Sequence, residues 1–231
     1  MVETIGAASR TLNELVEMRI LIVDDHPVVR EGLSELLSRE PDITVAAAAQ
    51  DAEEAIDILR TTRVDVAVVD LSLPGLSGTE LIRKIKSEFG DLPVLVLSMH
   101  EEQFYAERAL RAGAHGYIMK HEPTEKLVGA IRKLYDGDLF VSDDVAKRML
   151  LRIVAGEEEG ESPVSSLSGR ELEVFQLIGQ GYGTREIAGM LHLSIKTIES
   201  YRANLKQKLN LKSASELVQY AVKWSQHNLP S

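Results

Sequence analysis

ILIVDDHP, residues Ile20 to Pro27, ends a run of branched apolar side chains in two adjacent carboxylates. The apolar run reads as a strand buried on both faces. Two carboxylates about 4 Å apart repel by roughly 1–4 kcal/mol, depending on the local dielectric. Either Asp24 and Asp25 form a solvated turn or helix cap, or a positive group is drawn to them.

Reading outward, apolar strands alternate with amphipathic helices. MRILIV (18–23), ITVAAAA (43–49), DVAVVD (65–70), PVLVLS (93–98) and HGYIM (115–119) read as strands. Val28–Arg39, Ala52–Arg60, Ser77–Phe89, Glu101–Ala112 and Pro123–Tyr135 read as helices, with Ser77 and Glu80 a capping box. This pattern predicts an α/β fold, a five-stranded doubly wound parallel sheet of flavodoxin-like form. Residues 1–17 read as a polar extension and 18–136 as the α/β domain. A linker over 137–166 contains a helix from Asp143 to Val154, then the aperiodic stretch GEEEGESPVSS (156–166).

From 167 to 227 the pattern is helical only. Ser168 and Glu171 form a capping box, with Leu167 placed to staple onto Leu172. Helices follow over Arg185–Leu191, Ile195–Leu209 and from Ser213 to about Gln226. Four short helices with a tight turn between the second and third predict a small all-α helix-turn-helix domain. Leu217, Val218, Ala221 and Trp224 on the last helix fit either packing within the domain or a dimer contact.

The chain carries 26 basic and 36 acidic residues, a net charge of −10. From Ser165 onward the balance is +3, whereas the first 164 residues carry −13, a sign asymmetry that hints at separate jobs for the two parts. With no cysteine, disulfides and cysteine-based metal centres are excluded. The histidines lack ligand-like spacing, and His26 and His121 read as solvated loop residues rather than acid–base groups. No apolar run is long enough to span a membrane, and the first residues lack a basic start followed by an apolar block. The expectation is a cytoplasmic protein with no membrane partner.

Open α/β sheets bind ligands beyond the carboxyl ends of their strands. Those ends offer Asp24 and Asp25, Asp70, Ser98 and Lys120. Clustered carboxylates suit a hard cation such as Mg²⁺. With such an ion near, Asp70 could attack phosphorus, while Lys120 and Ser98 receive phosphoryl oxygens. Taken singly, a strand-end lysine is usually solvated and a serine usually makes local hydrogen bonds; joint placement on alternating strands argues for the site.

DDHPVVREGL, VVDLSLPGLSG, LSMH and GYIMK resemble the receiver domain of two-component response regulators over about residues 18–136. The resemblance implies transfer of a phosphoryl group from a sensor histidine kinase to Asp70, with Mg²⁺ held at Asp24, Asp25 and Asp70. It also implies that Ser98 follows the phosphoryl group and that Tyr117 is a rotating switch aromatic. Gly75 and Gly78 fit a loop with unusual dihedrals. Leu73 stands where the family often has Met, and His121–Glu122 separate Lys120 from Pro123, so a Lys–Pro cis peptide is not available.

On Ile195–Leu209, Ile198, Leu205 and Leu209 form a buried stripe, and Lys196, Ser200, Ala203 and Gln207 lie roughly opposite. LSGRELEVFQLIGQGYGTREIAGMLHLSIKTIESYRANLKQKLNLKS resembles the LuxR-type DNA-binding domain, and the whole chain resembles the NarL/FixJ subfamily. That resemblance makes Ile195–Gln207 a recognition helix. Glu199, Ser200 and Ala203 would face bases, and Lys196, Thr197 and Tyr201 would lie near the backbone. On spacing, Thr197, Tyr201, Arg202 and Lys208 could reach phosphates, and Glu199 either accepts from a cytosine amine or orients Arg202 or Lys206. The implied partners are the kinase, double-stranded promoter DNA and a second copy in an active homodimer, with RNA polymerase a further candidate.

The expected function is a phosphorylation-dependent transcriptional regulator, not an enzyme beyond slow self-dephosphorylation. One rival is a dehalogenase-type phosphatase, which needs a second Asp where Ser72 stands. Another is a phosphorylation-independent DNA-binding regulator whose receiver only dimerises.

Overall fold

A computed structural model describes residues 17–99, 102–155 and 163–228; all but the last residue of the expected N-terminal extension and most of the acidic linker stretch lie outside these. Five strands, β1 (Met18–Val23), β2 (Ile43–Ala49), β3 (Val66–Val69), β4 (Val94–Ser98) and β5 (Gly116–Met119), pair in parallel in the order β2-β1-β3-β4-β5. Helices α1 (Pro27–Leu37), α2 (Ala52–Thr61), α3 (Gly78–Phe89), α4 (Glu102–Ala112) and α5 (Thr124–Tyr135) make the crossovers and close the domain.

Strand alternation divides the core in two. Ile20, Ile22, Val68, Leu95 and Ile118 point to the face covered by Leu37, Leu127, Ile131 and Leu134 of α1 and α5. Leu21, Val23, Val69, Val96 and Tyr117 point to the other face, under Ile56, Leu81, Ile85 and Ala106 of α2, α3 and α4. Both faces being covered explains why the strands are apolar throughout rather than alternating. Strand order reverses between β1 and β3, which opens a crevice at their carboxyl ends.

Phe140 adds one bridge beyond β5: its N–H donates to the His115 carbonyl at 3.0 Å, and its carbonyl accepts from Tyr117 N–H at 2.9 Å. Helix α6 (Asp143–Ala155) packs on α4. Pro163–Ser166, expected within an aperiodic linker, forms a 3-10 turn that buries Val164. The burial of one apolar side chain orders that end of the segment.

The C-terminal domain comprises α7 (Gly169–Gly179), α8 (Thr184–Met190), α9 (Ile195–Lys208) and α10 (Ala214–Asn228). Ser168 and Glu171 form the expected capping box at α7, and Ser194 caps α9. His192, in the turn from α8 to α9, has φ +53°, a left-handed conformation that lets four residues reverse the chain. Phe175 sits 5.7 Å from Trp224 and 5.9 Å from Tyr220, so the inner face of α10 packs within its own domain; Val218 stays exposed.

Candidate phosphoacceptor site and DNA-binding surface

The sheet brings together the residues expected from separate strands. Asp24 leaves the end of β1, Asp70 the end of β3, and both are almost fully buried, at 2% and 3% exposure. Lys120, just beyond β5, donates to Asp24 Oδ2 at 2.5 Å and to Asp70 Oδ2 at 2.8 Å. Burial alone would lower the lysine's pKa; Asp70 and Asp24 outweigh it and hold the ammonium above its ordinary value. Ser98 ends β4 and is buried, with its carbonyl accepting from Lys120 N–H at 2.8 Å. Tyr117 is buried on β5 rather than lying at an exposed edge.

Asp24, Asp25, His26 and Asp70 each offer one donor atom, and these atoms lie within 4.8 Å of one another. Asp25 Oδ1 is buried and accepts no hydrogen bond; His26 Nδ1 is 2.7 Å away but not aligned to donate. A buried carboxylate oxygen without an aligned donor, beside two more carboxylates, fits a hard divalent cation with oxygen ligands. The His26 side chain is 59% exposed, and its backbone N–H donates to Asp24 Oδ1 at 2.9 Å. His121 is exposed.

The loop after Asp70 is built around two glycines for different reasons. Gly75 has φ +69°, which favours glycine. Gly78 instead opens α3 so close to β3 that a Cβ would lie 2.2 Å from the Asp70 carbonyl oxygen. The expectation of unusual dihedrals therefore holds for Gly75 alone; Gly78 is required by close approach. No peptide bond among the described residues is cis.

On α9, Lys196, Glu199, Ser200 and Ala203 are exposed on one face. Thr197, Tyr201, Arg202 and Lys206 are partly buried. The Thr197 hydroxyl lies 2.7 Å from the Ser194 cap hydroxyl, so it also serves the helix start. Lys208 pairs with buried Glu171 at 2.7 Å. Burial pushes the Glu171 carboxyl up, yet Lys208 and the Ser168 backbone and hydroxyl bring it below its usual value.

Sequence reasoning missed a contact between the two domains. Arg170 donates to the Ser72 carbonyl at 2.9 Å, and Tyr105 on α4 donates to Gln176 on α7 at 3.1 Å. Burial first, against Arg170 and helped by Glu171, Glu173 and Glu80, pushes the Tyr201 hydroxyl up. The α/β domain thus abuts α7, and Lys196, Glu199, Ser200 and Ala203 of α9 stay exposed. These pairs are too distant in sequence for any periodicity to announce them.

Residues 20–132 match the response regulator receiver domain, and residues 165–221 match the LuxR family of bacterial regulatory proteins. The oxygen regulatory protein NreC of Staphylococcus carnosus is 41% identical over 211 residues, covering 89% of this chain and 97% of that protein. RcsB of Salmonella enterica serovar Typhimurium, solved bound to promoter rprA with the phosphomimetic BeF3−, is 29% identical with a TM-score of 0.55, covering 89% of this chain and 98% of that one. A LuxR-family two-component response regulator from Aurantimonas is 40% identical with a TM-score of 0.55, over 60% of this chain and 99% of its own. No helix among the described residues is long and apolar enough to cross a membrane. A parallel α/β domain with an acidic crevice, joined to a helix-turn-helix and matched along nearly the whole length by such regulators, makes this chain a DNA-binding response regulator of the NarL type.

Proposed function

We propose that Asp70 accepts a phosphoryl group from a sensor histidine kinase and that this controls the DNA-binding domain. The observation that carries the reading is the convergence of Asp24, Asp70 and Lys120, from three separated segments, on one buried point. Asp24, Asp25 and Asp70 would hold Mg²⁺, which would neutralise the carboxylates and the incoming phosphoryl oxygens. Lys120 carries positive charge to the phosphoryl group, Ser98 offers a hydroxyl, and Asp70 supplies the attacking oxygen. Tyr117 follows as Ser98 is drawn toward the new oxygens.

The resting chain is held with the receiver against α7. Phosphorylation shifts it toward a released and paired arrangement, a coupling of about 1–3 kcal/mol. In that form Glu199, Ser200 and Ala203 read bases, while Lys196, Thr197, Tyr201, Arg202 and Lys206 approach phosphates or orient the helix. A homodimer doubles the phosphate contacts that a domain of only +3 offers singly.

Genome-wide binding of the wild type and Asp70→Asn, followed by footprinting with and without a phosphodonor at fixed salt, tests this. Tighter binding by the phosphorylated wild type alone is expected. Equal affinity in every case would favour a phosphorylation-independent regulator instead.

A further inference from the structure

The Arg170 contact reaches the proposed reaction centre in one further step. Its guanidinium is divided: one nitrogen donates to Glu173 on its own helix at 2.8 Å, the other to the Ser72 carbonyl at 2.9 Å. The N–H of the same Ser72 donates to Asp70 Oδ1 at 3.2 Å. One loop residue is thus held by the proposed phosphoacceptor on one side and by the DNA-binding domain on the other. The second contact, Tyr105 to Gln176, is made from α4 rather than from a residue of that loop.

A carboxylate oxygen is a strong acceptor for the Ser72 amide because it carries charge. Once an Asp70 oxygen becomes part of an acyl phosphate, that charge moves outward to the phosphoryl oxygens. The Ser72 amide then follows a different acceptor, and the loop must shift. Arg170 opposes that shift for as long as it grips the carbonyl. Coupling of this kind is reciprocal in binding free energy: what loosens Arg170 favours the modified loop, and the modified loop loosens Arg170.

We propose that Arg170 is a positioning residue of the receiver's own reaction, restraining the loop after Asp70, so that seating of the DNA-binding domain on duplex DNA promotes phosphoryl acceptance by Asp70. This rests on the phosphoacceptor reading above. The step is transfer from an acyl or phosphohistidine donor: the donor's bond to phosphorus breaks, the Asp70 oxygen–phosphorus bond forms, and the donor leaves with the bonding pair.

The test measures the initial rate of acyl-phosphate formation in the full chain, with acetyl phosphate and Mg²⁺ and a phosphate-affinity gel as readout. Wild type, Arg170→Ala, Arg170→Lys, Tyr105→Phe and Asp70→Asn are compared, each with and without sonicated genomic duplex DNA at low salt. Arg170→Ala is expected to label about five-fold faster, at the low end of usual intersite coupling. Arg170→Lys should restore part of the restraint, and Tyr105→Phe should accelerate less. DNA should speed the wild type yet add little to Arg170→Ala. A wild-type rate in Arg170→Ala with its thermal melt intact would overturn the proposal. So would an equal gain in Tyr105→Phe, which would assign the effect to general undocking. Labelling that survives Asp70→Asn, or no labelling of the wild type, would remove the phosphoacceptor reading and this inference with it.

Discussion

The Lys120 ammonium donates to Asp70 Oδ2 at 2.8 Å, fastening the end of β5 to the end of β3. Asp24 shares the same ammonium. Removing one partner of a buried ion pair costs far more than the pair itself contributes, because a charge is left without compensation. Lys120→Met is therefore expected to lower stability by about 3–5 kcal/mol in urea unfolding without divalent ions. Adding Mg²⁺ should recover part of that loss.

Asp25 Oδ1 is buried and accepts no aligned hydrogen bond, although His26 Nδ1 lies 2.7 Å away. A ligand that binds only the folded chain raises its stability in proportion to the logarithm of concentration over Kd. Mg²⁺ titration should raise the wild-type melting temperature, and Asp25→Asn should blunt the rise. An identical rise in both would remove Asp25 from the cation site.

At Gly78 the constraint is steric. A methyl group there would lie 2.2 Å from the Asp70 carbonyl oxygen and 2.6 Å from the Leu71 Cα. Both are backbone atoms, so the start of α3 or the end of β3 must move. Gly78→Ala is expected to cost about 1–3 kcal/mol in chemical unfolding. Since the displaced backbone carries Asp70, the rate of acyl-phosphate labelling should fall with it.

His115 links stability to pH. Its Nδ1 accepts from the Val94 N–H at 3.2 Å, which requires the neutral ring. Burial first, and Lys86 next, hold its pKa below 6.5, against Asp91. Above pH 6.5 the ring is neutral in both folded and unfolded chains. As pH falls below that value the unfolded chain takes up the proton first, so stability declines until the folded pKa is passed. His115→Gln should flatten this part of a stability profile measured from pH 7.5 to 5.

Arg202 and Glu199 lie on the same helix but should fail differently. Arg202→Ala should weaken DNA binding across sequences and reduce the salt dependence by about one phosphate contact. Glu199→Ala should change the preferred base at one position of the mapped site, with the salt dependence unchanged. Competition between duplexes at two salt concentrations separates the two outcomes.

What the sequence disclosed was what repeats locally. The alternation of apolar strands and amphipathic helices predicted the sheet, and Ser168 with Glu171 marked the start of α7 because a capping box is a four-residue pattern. The acidic crevice was legible because topology places strand ends together once the β–α alternation is known. Arg170 and Ser72 are 98 residues apart and make a side chain to backbone bond, so neither residue type announces it. The apolar face of α10 was open to two readings because Leu217 and Ala221 would look the same buried in their own domain or against a partner; Phe175 accounts for Tyr220 and Trp224 beside them. Gly78 resembled a turn glycine until the nearness of β3 supplied a different reason.

Phe140 has a consequence for assembly. By bridging to Gly116, with Tyr117 N–H on its carbonyl, it occupies hydrogen-bonding positions that a lateral neighbour of β5 would need. Uncovered margins of this kind are where chains zip together into continuous ribbons. Here the polypeptide supplies its own border at the start of β5, which leaves a lateral neighbour less backbone to pair with there.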